Sequence, residues 1–218
     1  MDDRIPLERT PEEQAEEEAF LALYGGWAPL TPAELAAEMR GFDRPWWVVG
    51  GWAIEAATGL RREHEDIDMS ILARDVPALV EFTKGRWHVW NNVGGVLHPL
   101  GGRWPDVDDP ASQLWLRRNA SSPWVLDVPL TPVGHGGLWV DKYVDGHVAP
   151  VEAVTWVDEN RVRYLLPEIV LVAKARLRRT KDDPDFDAAL PILDQQARAW
   201  MRAAITALVP DHPWLRRL

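Results

Sequence analysis

A strand, a glycine turn and a helix follow one another between residues 46 and 60, and this unit limits the possible folds more than any other segment. The run WWVV at 46–49 is short and apolar, which is typical of a strand, and Gly50-Gly51 interrupts it. The next nine residues, WAIEAATGL, suit a helix that ends at Gly59. The chain therefore needs a fold in which strands and helices mix.

The rest of the chain has strands in its middle and helices at both ends. Alternating or apolar runs predict strands at 67–72, 87–91, 114–117, 124–128, 153–157 and 161–165. Capping and spacing patterns predict helices at 11–24 and 32–40, one after Asp75, and three that begin at Pro167, Asp183 and Asp194. Residues 94–110 (GGVLHPLGGRWPDVDDP) are rich in turn residues and predict a long loop, a candidate functional flap.

This arrangement indicates the α+β class, with one small mixed sheet at the centre. We expect three parts: an N-terminal helical extension at 1–40, an α+β domain at 41–165 and a C-terminal helical bundle at 166–218. A chain of 218 residues is long enough for such a core.

Composition excludes several classes of function. The chain has no cysteine, so any metal must be bound through oxygen or imidazole. Its formal net charge of −10 disfavours a broad nucleic-acid interface and suits a small, cationic partner. No apolar run approaches the roughly 20 residues that cross a bilayer, and the N-terminal residues are acidic and polar, unlike a secretory signal. We therefore expect no membrane span and a cytoplasmic location.

Two aspartates and the glycine pair together indicate a site for a magnesium–nucleotide complex. Asp66 and Asp68 are two residues apart at the start of a predicted strand, so both carboxylates face the same side. Mg²⁺ prefers such oxygen ligands, completed by phosphates and water. Gly50-Gly51, at the start of a helix, allows a phosphate to approach the backbone N–H groups.

Each of these features also has a simpler structural interpretation. The aspartates could form a charged strand start, the glycines only a tight turn, and Arg62 and His64 solvated loop positions rather than supports of the aspartates or phosphate contacts. The six histidines have no zinc-ligand spacing. The sequence contains neither a P-loop nor a Rossmann glycine motif.

The order of these residues resembles a known enzyme family. Gly50-Gly51-Trp52-Ala53, followed by Arg62-x-His64-x-Asp66-Ile67-Asp68, is similar to the polymerase-beta-like nucleotidyltransferases, in the small-molecule branch that contains aminoglycoside (2″) and lincosamide adenylyltransferases. The similarity extends through WVLDV at 124–128 and through residues 164–186, and covers most of 46–193. Many members have serine where this chain has Trp52, so that hydroxyl contact to the triphosphate is absent.

The resemblance implies transfer of a nucleoside monophosphate from a nucleoside triphosphate, AMP from ATP or the corresponding group from another triphosphate, to a hydroxyl of a small acceptor, with release of pyrophosphate. Asp66 and Asp68 would bind Mg²⁺, and Asp127 would be the third carboxylate, acting as metal ligand, as base or as both. Lys174 and Lys181 would neutralise phosphate charge. Gly50, Gly51, Arg62 and His64 would complete the nucleotide site.

The acceptor is the least determined part of this interpretation. An aminoglycoside-like or lincosamide-like antibiotic fits the acidic chain, and such an enzyme would confer antibiotic resistance. Two alternatives remain: the same chemistry on tRNA or protein, as in nucleotidyltransferase toxins, and a nucleotide-binding module without catalysis. The sequence does not determine the oligomeric state.

Overall fold

The computed structural model describes residues 4–6, 9–101, 107–109 and 111–218. Its strands are β1 (Trp46–Val48), β2 (Met69–Leu72), β3 (His88–Val93), β4 (Val96–Pro99), β5 (Gln113–Arg117), β6 (Trp124–Thr131), β7 (Trp139–Val140), β8 (Val148–Ala149), β9 (Thr155–Val157) and β10 (Arg163–Leu165). Its α-helices are α1 (Pro11–Tyr24), α2 (Pro32–Glu38), α3 (Gly50–Thr58), α4 (Val76–Thr83), α5 (Val151–Val154), α6 (Pro167–Ala175), α7 (Asp183–Ala189) and α8 (Gln195–Leu208).

Eight of the described strands form one mixed sheet, in the order β4-β3-β5-β6-β2-β1-β10-β9. The pairs β1–β10 and β2–β6 are parallel, and the other pairs are antiparallel. β7 and β8 form a separate antiparallel pair. The predicted α+β class with a central mixed sheet is confirmed.

Both N-terminal helices begin with capping boxes, of which only the one at Thr31 was predicted from the sequence. Thr10 caps α1 and Thr31 caps α2, and in each the glutamate three residues later bonds back to the cap backbone. Phe20 and Tyr24 of α1 contact Trp115 in β5, with ring centroids 5.8 and 5.7 Å apart. The first helix therefore packs on the sheet through aromatic side chains.

Two local predictions were wrong. Part of the loop predicted at 94–110 is β4, because Gly94 and Gly95 both have positive φ (57° and 84°) and make a two-residue turn from β3. Residues 102–106 and 110 of that loop lie outside the described residues. The strand predicted at 153–157 begins only at Thr155, since 151–154 form the short helix α5 after Pro150, whose φ suits a helix start.

The C-terminal helices pack against the glycine-turn helix. α3 contacts both α6 and α7, and α6 contacts α8. Trp47, Ile54 and Ile67 have no exposed surface and lie in the shared core. This packing brings the C-terminal part of the chain next to the Gly50-Gly51 turn. Among the described helices, none has the length and apolar character needed to cross a membrane.

Candidate functional site

The three predicted aspartates come together across two neighbouring strands. Asp68 and Asp127 face each other in a parallel bridge where β2 and β6 run side by side. The amide of Asp127 donates to the carbonyl of Ile67 (3.1 Å), and the indole of Trp52 donates to the carbonyl of Asp66 (3.1 Å). Trp52, at the position where many relatives have serine, therefore holds the aspartate segment instead.

Burial and mutual repulsion shift the protonation of these carboxyl groups. Burial, together with the charge of Asp66, raises the pKa of Asp68 to about 8. Burial and the charges of Asp68 and Asp66 raise the pKa of Asp127 well above its usual value. Burial and Glu65 raise the pKa of Asp66. A bound cation would offset the repulsion between these carboxylates and favour their charged forms.

The glycine turn lies directly against these aspartates. Gly50 has a positive φ of 65°, and a Cβ there would overlap Asp68 Oδ2. A Cβ at Gly51 would overlap Arg62 Nη2 and lie 2.9 Å from His64 Nδ1. Both positions require glycine because other side chains already fill the adjoining space.

Arg62 and His64 lie beside this turn with defined partners. Arg62 makes two hydrogen bonds to Asp185 of α7, Nε to Oδ1 (2.8 Å) and Nη2 to Oδ2 (3.0 Å). His64 Nε2 bonds to Glu55 (2.8 Å), and its ring stacks on Trp52 at 4.0 Å. Burial lowers the pKa of His64 to about 4, so the ring is neutral at pH 7.

The two lysines predicted for phosphate contact are engaged with carboxylates. Lys174, which is buried, bonds to Asp182 (2.5 Å) and lies 3.0 Å from Asp185. Lys181 bonds to Glu65 (2.8 Å), which Arg9 also contacts. Both lysines line the cleft, but each already forms an ion pair with a carboxylate.

A cleft of about 440 Å³ joins these features. Its wall contains, besides the two glycines, Asp66 and Asp68, several residues that sequence reasoning missed: Gln113, Asp141, Lys142, Tyr143, Arg176 and Arg179. Asp127, the bridge partner of Asp68, is not part of this wall. Lys142 and Tyr143 follow β7 in a segment without a recognisable motif, so only the fold brings them to the site.

The aspartate oxygens are ligands that suit a hard divalent cation, but the described side chains do not surround a common metal position in this structure. In the part of the chain that the structure describes, no three histidine, aspartate or glutamate side chains are grouped so that they could hold a metal ion as they stand. The aspartates offer only oxygen donors, and Asp127 Oδ1 is buried without a described hydrogen-bond partner. An unpartnered buried carboxylate oxygen is costly, and a cation would satisfy it.

Stability without divalent cations should fall as the pH rises from about 6.5 to 8. In that range His64 is neutral in the folded state and loses its remaining charge in the unfolded chain as the pH rises above its ordinary pKa of 6.5, whereas Asp68 keeps its proton only in the folded state. The folded protein therefore binds more protons than the unfolded chain, and raising the pH removes up to roughly 1.4 kcal/mol per pH unit. Thermal unfolding in chelator at several pH values measures this slope. Asp68→Asn should flatten it, and a midpoint that rises with pH would contradict the argument.

The mixed sheet, the glycine turn at a helix start and the paired aspartates are what the resemblance found in the sequence implies, and the comparisons with known proteins agree with it. Residues 33–86 match the family model described as aminoglycoside-2″-adenylyltransferase. This match covers about a quarter of the chain and supports the resemblance found in the sequence, to an aminoglycoside adenylyltransferase-like nucleotidyltransferase. A search of curated proteins gives no match.

Two solved structures of one resistance factor are similar in fold. The crystal structure of ANT(2″)-Ia in complex with adenylyl-2″-tobramycin has 17% sequence identity and a TM-score of 0.50, covering 82% of this chain and 99% of that one. The solution structure of the antibiotic-resistance factor ANT(2″)-Ia has 18% identity and a TM-score of 0.48, covering 87% and 92%. At this identity the crystal structure supports the fold.

Proposed function

We propose that this protein is a Mg²⁺-dependent adenylyltransferase that transfers AMP from ATP to a hydroxyl of an aminoglycoside-like acceptor and releases pyrophosphate. The observation that carries the proposal is the facing pair Asp68 and Asp127 beside the Gly50-Gly51 turn. The family match over residues 33–86 supports the same chemistry.

Asp66, Asp68 and Asp127 would hold the cation. A bound Mg²⁺ would neutralise charge on the reacting phosphate and on the attacking and leaving oxygens. Asp127 is also suited to accept the proton of the acceptor hydroxyl, because burial and the neighbouring carboxylates raise its pKa and so make its carboxylate a stronger base. Because the described carboxylates are not grouped around one metal position as they stand, they would have to draw together when the cation binds.

The glycine turn and nearby cations would bind the triphosphate. The glycine pair forms the first turn of α3, whose N-terminal N–H groups have no side-chain cap, and Arg62 lies against Gly51. Lys174 and Lys181 would contribute positive charge to the cleft, although each already pairs with a carboxylate. His64, neutral and stacked on Trp52, would support the aspartate segment.

An acidic chain favours a polycationic acceptor. The net charge of −10 would raise the local concentration of an aminoglycoside-like molecule. Glu65 and Asp141 also line the cleft, but Lys181 and Arg9 already contact Glu65, and His147 and two backbone amides already bond to Asp141, so the attraction rests on the overall charge of the chain. The three-part domain division and the cytoplasmic location stay predictions.

Pyrophosphate release from each of the four nucleoside triphosphates, with Mg²⁺ and with or without aminoglycosides and lincosamides, tests the proposal. We expect release with ATP that depends on one acceptor and that falls by about 10²- to 10³-fold in Asp66→Asn. Asp43→Asn, an exposed carboxylate away from the cleft, is the matched control and should keep full activity. Transfer of label to RNA or protein instead would indicate a toxin-type enzyme, and nucleotide binding without release a binding module.

A further inference from the structure

Asp185 of α7 is a buried carboxylate that connects the C-terminal helices to the glycine turn. Its side chain is 1% exposed. Both oxygens contact the guanidinium of Arg62, at 2.8 and 3.0 Å, and Oδ2 lies 3.0 Å from the ammonium of Lys174. A two-point contact of this kind fixes the plane of a guanidinium as well as its position.

The contact leaves Arg62 able to bind a further anion. Of its five N–H donors, two bond to Asp185 and one on Nη1 bonds to the carbonyl of Glu63 (2.9 Å). Among the described contacts, one N–H remains on each terminal nitrogen. Nη2 is the atom that a Cβ at Gly51 would overlap, so a free donor lies at the turn itself.

The surrounding charges favour an anion on this wall of the cleft. Lys174 also bonds to Asp182 (2.5 Å), and Arg179 bonds to both oxygens of Asp182 at 2.8 and 3.2 Å. The network thus contains three cations, Arg62, Lys174 and Arg179, and two carboxylates, Asp182 and Asp185. All three cations line the cleft. One positive charge is therefore left over within this network, while the carboxylates of Asp66 and Asp68 on the same wall are those that the bound cation would balance.

We propose that Asp185 is a positioning residue for nucleotide binding: it holds the Arg62 guanidinium against the Gly50-Gly51 turn, where that group contacts a phosphate of the bound nucleoside triphosphate. This inference rests on the proposed function and assigns the C-terminal helix α7 a part in it. Asp185 itself does not touch the nucleotide. Without it, Arg62 keeps its charge but loses its fixed orientation.

Asp185→Asn tests the assignment because it keeps the shape of the side chain and removes its charge. Binding of a non-hydrolysable ATP analogue with Mg²⁺ should weaken by about tenfold, with the KM of the acceptor unchanged. Asp187→Asn is the control, since Asp187 lies on the same helix, is 55% exposed and pairs only with Arg217 among the described residues. Thermal unfolding of both variants checks that they are folded.

Combining Asp185→Asn with Arg62→Gln distinguishes a positioning role of Asp185 from a purely structural one. If Asp185 acts through Arg62, then Asp185→Asn causes no further loss of analogue binding in the Arg62→Gln background. Losses that multiply, or a lowered unfolding midpoint with unchanged analogue binding, would overturn the assignment. Analogue binding by a wild-type protein that transfers nothing would refute the proposed function alone, whereas a wild type that binds no nucleotide would refute both.

Discussion

Asp127→Asn is expected to give a folded protein that binds nucleotide and hardly transfers it. The substitution keeps the size of a half-buried side chain, of which Oδ1 is buried, but removes its charge and its capacity to accept a proton. We expect kcat to fall by about 10²- to 10⁴-fold. Steady-state pyrophosphate release with saturating acceptor measures the loss.

The same substitution should stabilise the metal-free protein. Burial and the charges of Asp68 and Asp66 disfavour ionised Asp127 in the folded state. Removing this repulsion should raise the free energy of unfolding by about 1 kcal/mol, or the midpoint by about 2–4 °C. A less stable variant would indicate a structural role for Asp127.

The cation and pH dependence of Asp127→Asn distinguish the two roles of this carboxylate. A lost metal ligand should be partly compensated by raised Mg²⁺, because weaker binding is overcome by mass action. Loss of a base should not be compensated by raised Mg²⁺. In that case the acidic limb of the pH profile of kcat should disappear. Full activity of the variant at any Mg²⁺ concentration would contradict both roles.

Gly50→Ala should lower transfer by about 100-fold, because a displacement near 1 Å at the reacting groups is enough for such a loss. The added Cβ would overlap Asp68 Oδ2 and push that carboxylate away from Asp127. It would also close the space through which a phosphate approaches the backbone. The kinetic constants of the variant with ATP and acceptor measure this effect.

Gly59→Ala is the control that distinguishes the effect of the overlap with Asp68 from the effect of backbone strain. Gly59 has a comparable positive φ of 77°, but a Cβ there meets no atom within 4 Å. This variant should lose about 1 kcal/mol of stability and keep its activity. Equal loss of activity in both variants would show that strain, not the contact with Asp68, is responsible.

Local sequence predicted most of the elements and the residues at the centre of the site. The capping box at Thr31 predicts the second helix, an acidic first turn and apolar spacing predict the first, and the alternation from Ile67 predicts the strand that follows Asp68. These signals act within a few residues, because a cap bonds three positions away and strand alternation has a period of two. The glycine pair and the aspartates could be assigned to one site because the family resemblance supplied their spatial relation.

Contacts between residues far apart in the chain determine the ion pairs and the cleft residues that local patterns do not predict. The partners of Arg62 and Lys174 lie in α7 or just before it, and Asp185 is 123 residues from Arg62 in the chain. Lys142 and Tyr143 reach the cleft only because the β7–β8 pair folds over it. The sequence by itself determined which residues can bind a cation and a phosphate, since that depends on side-chain chemistry. Only the tertiary structure decided which charges are already paired, because pairing depends on distances that no local pattern encodes.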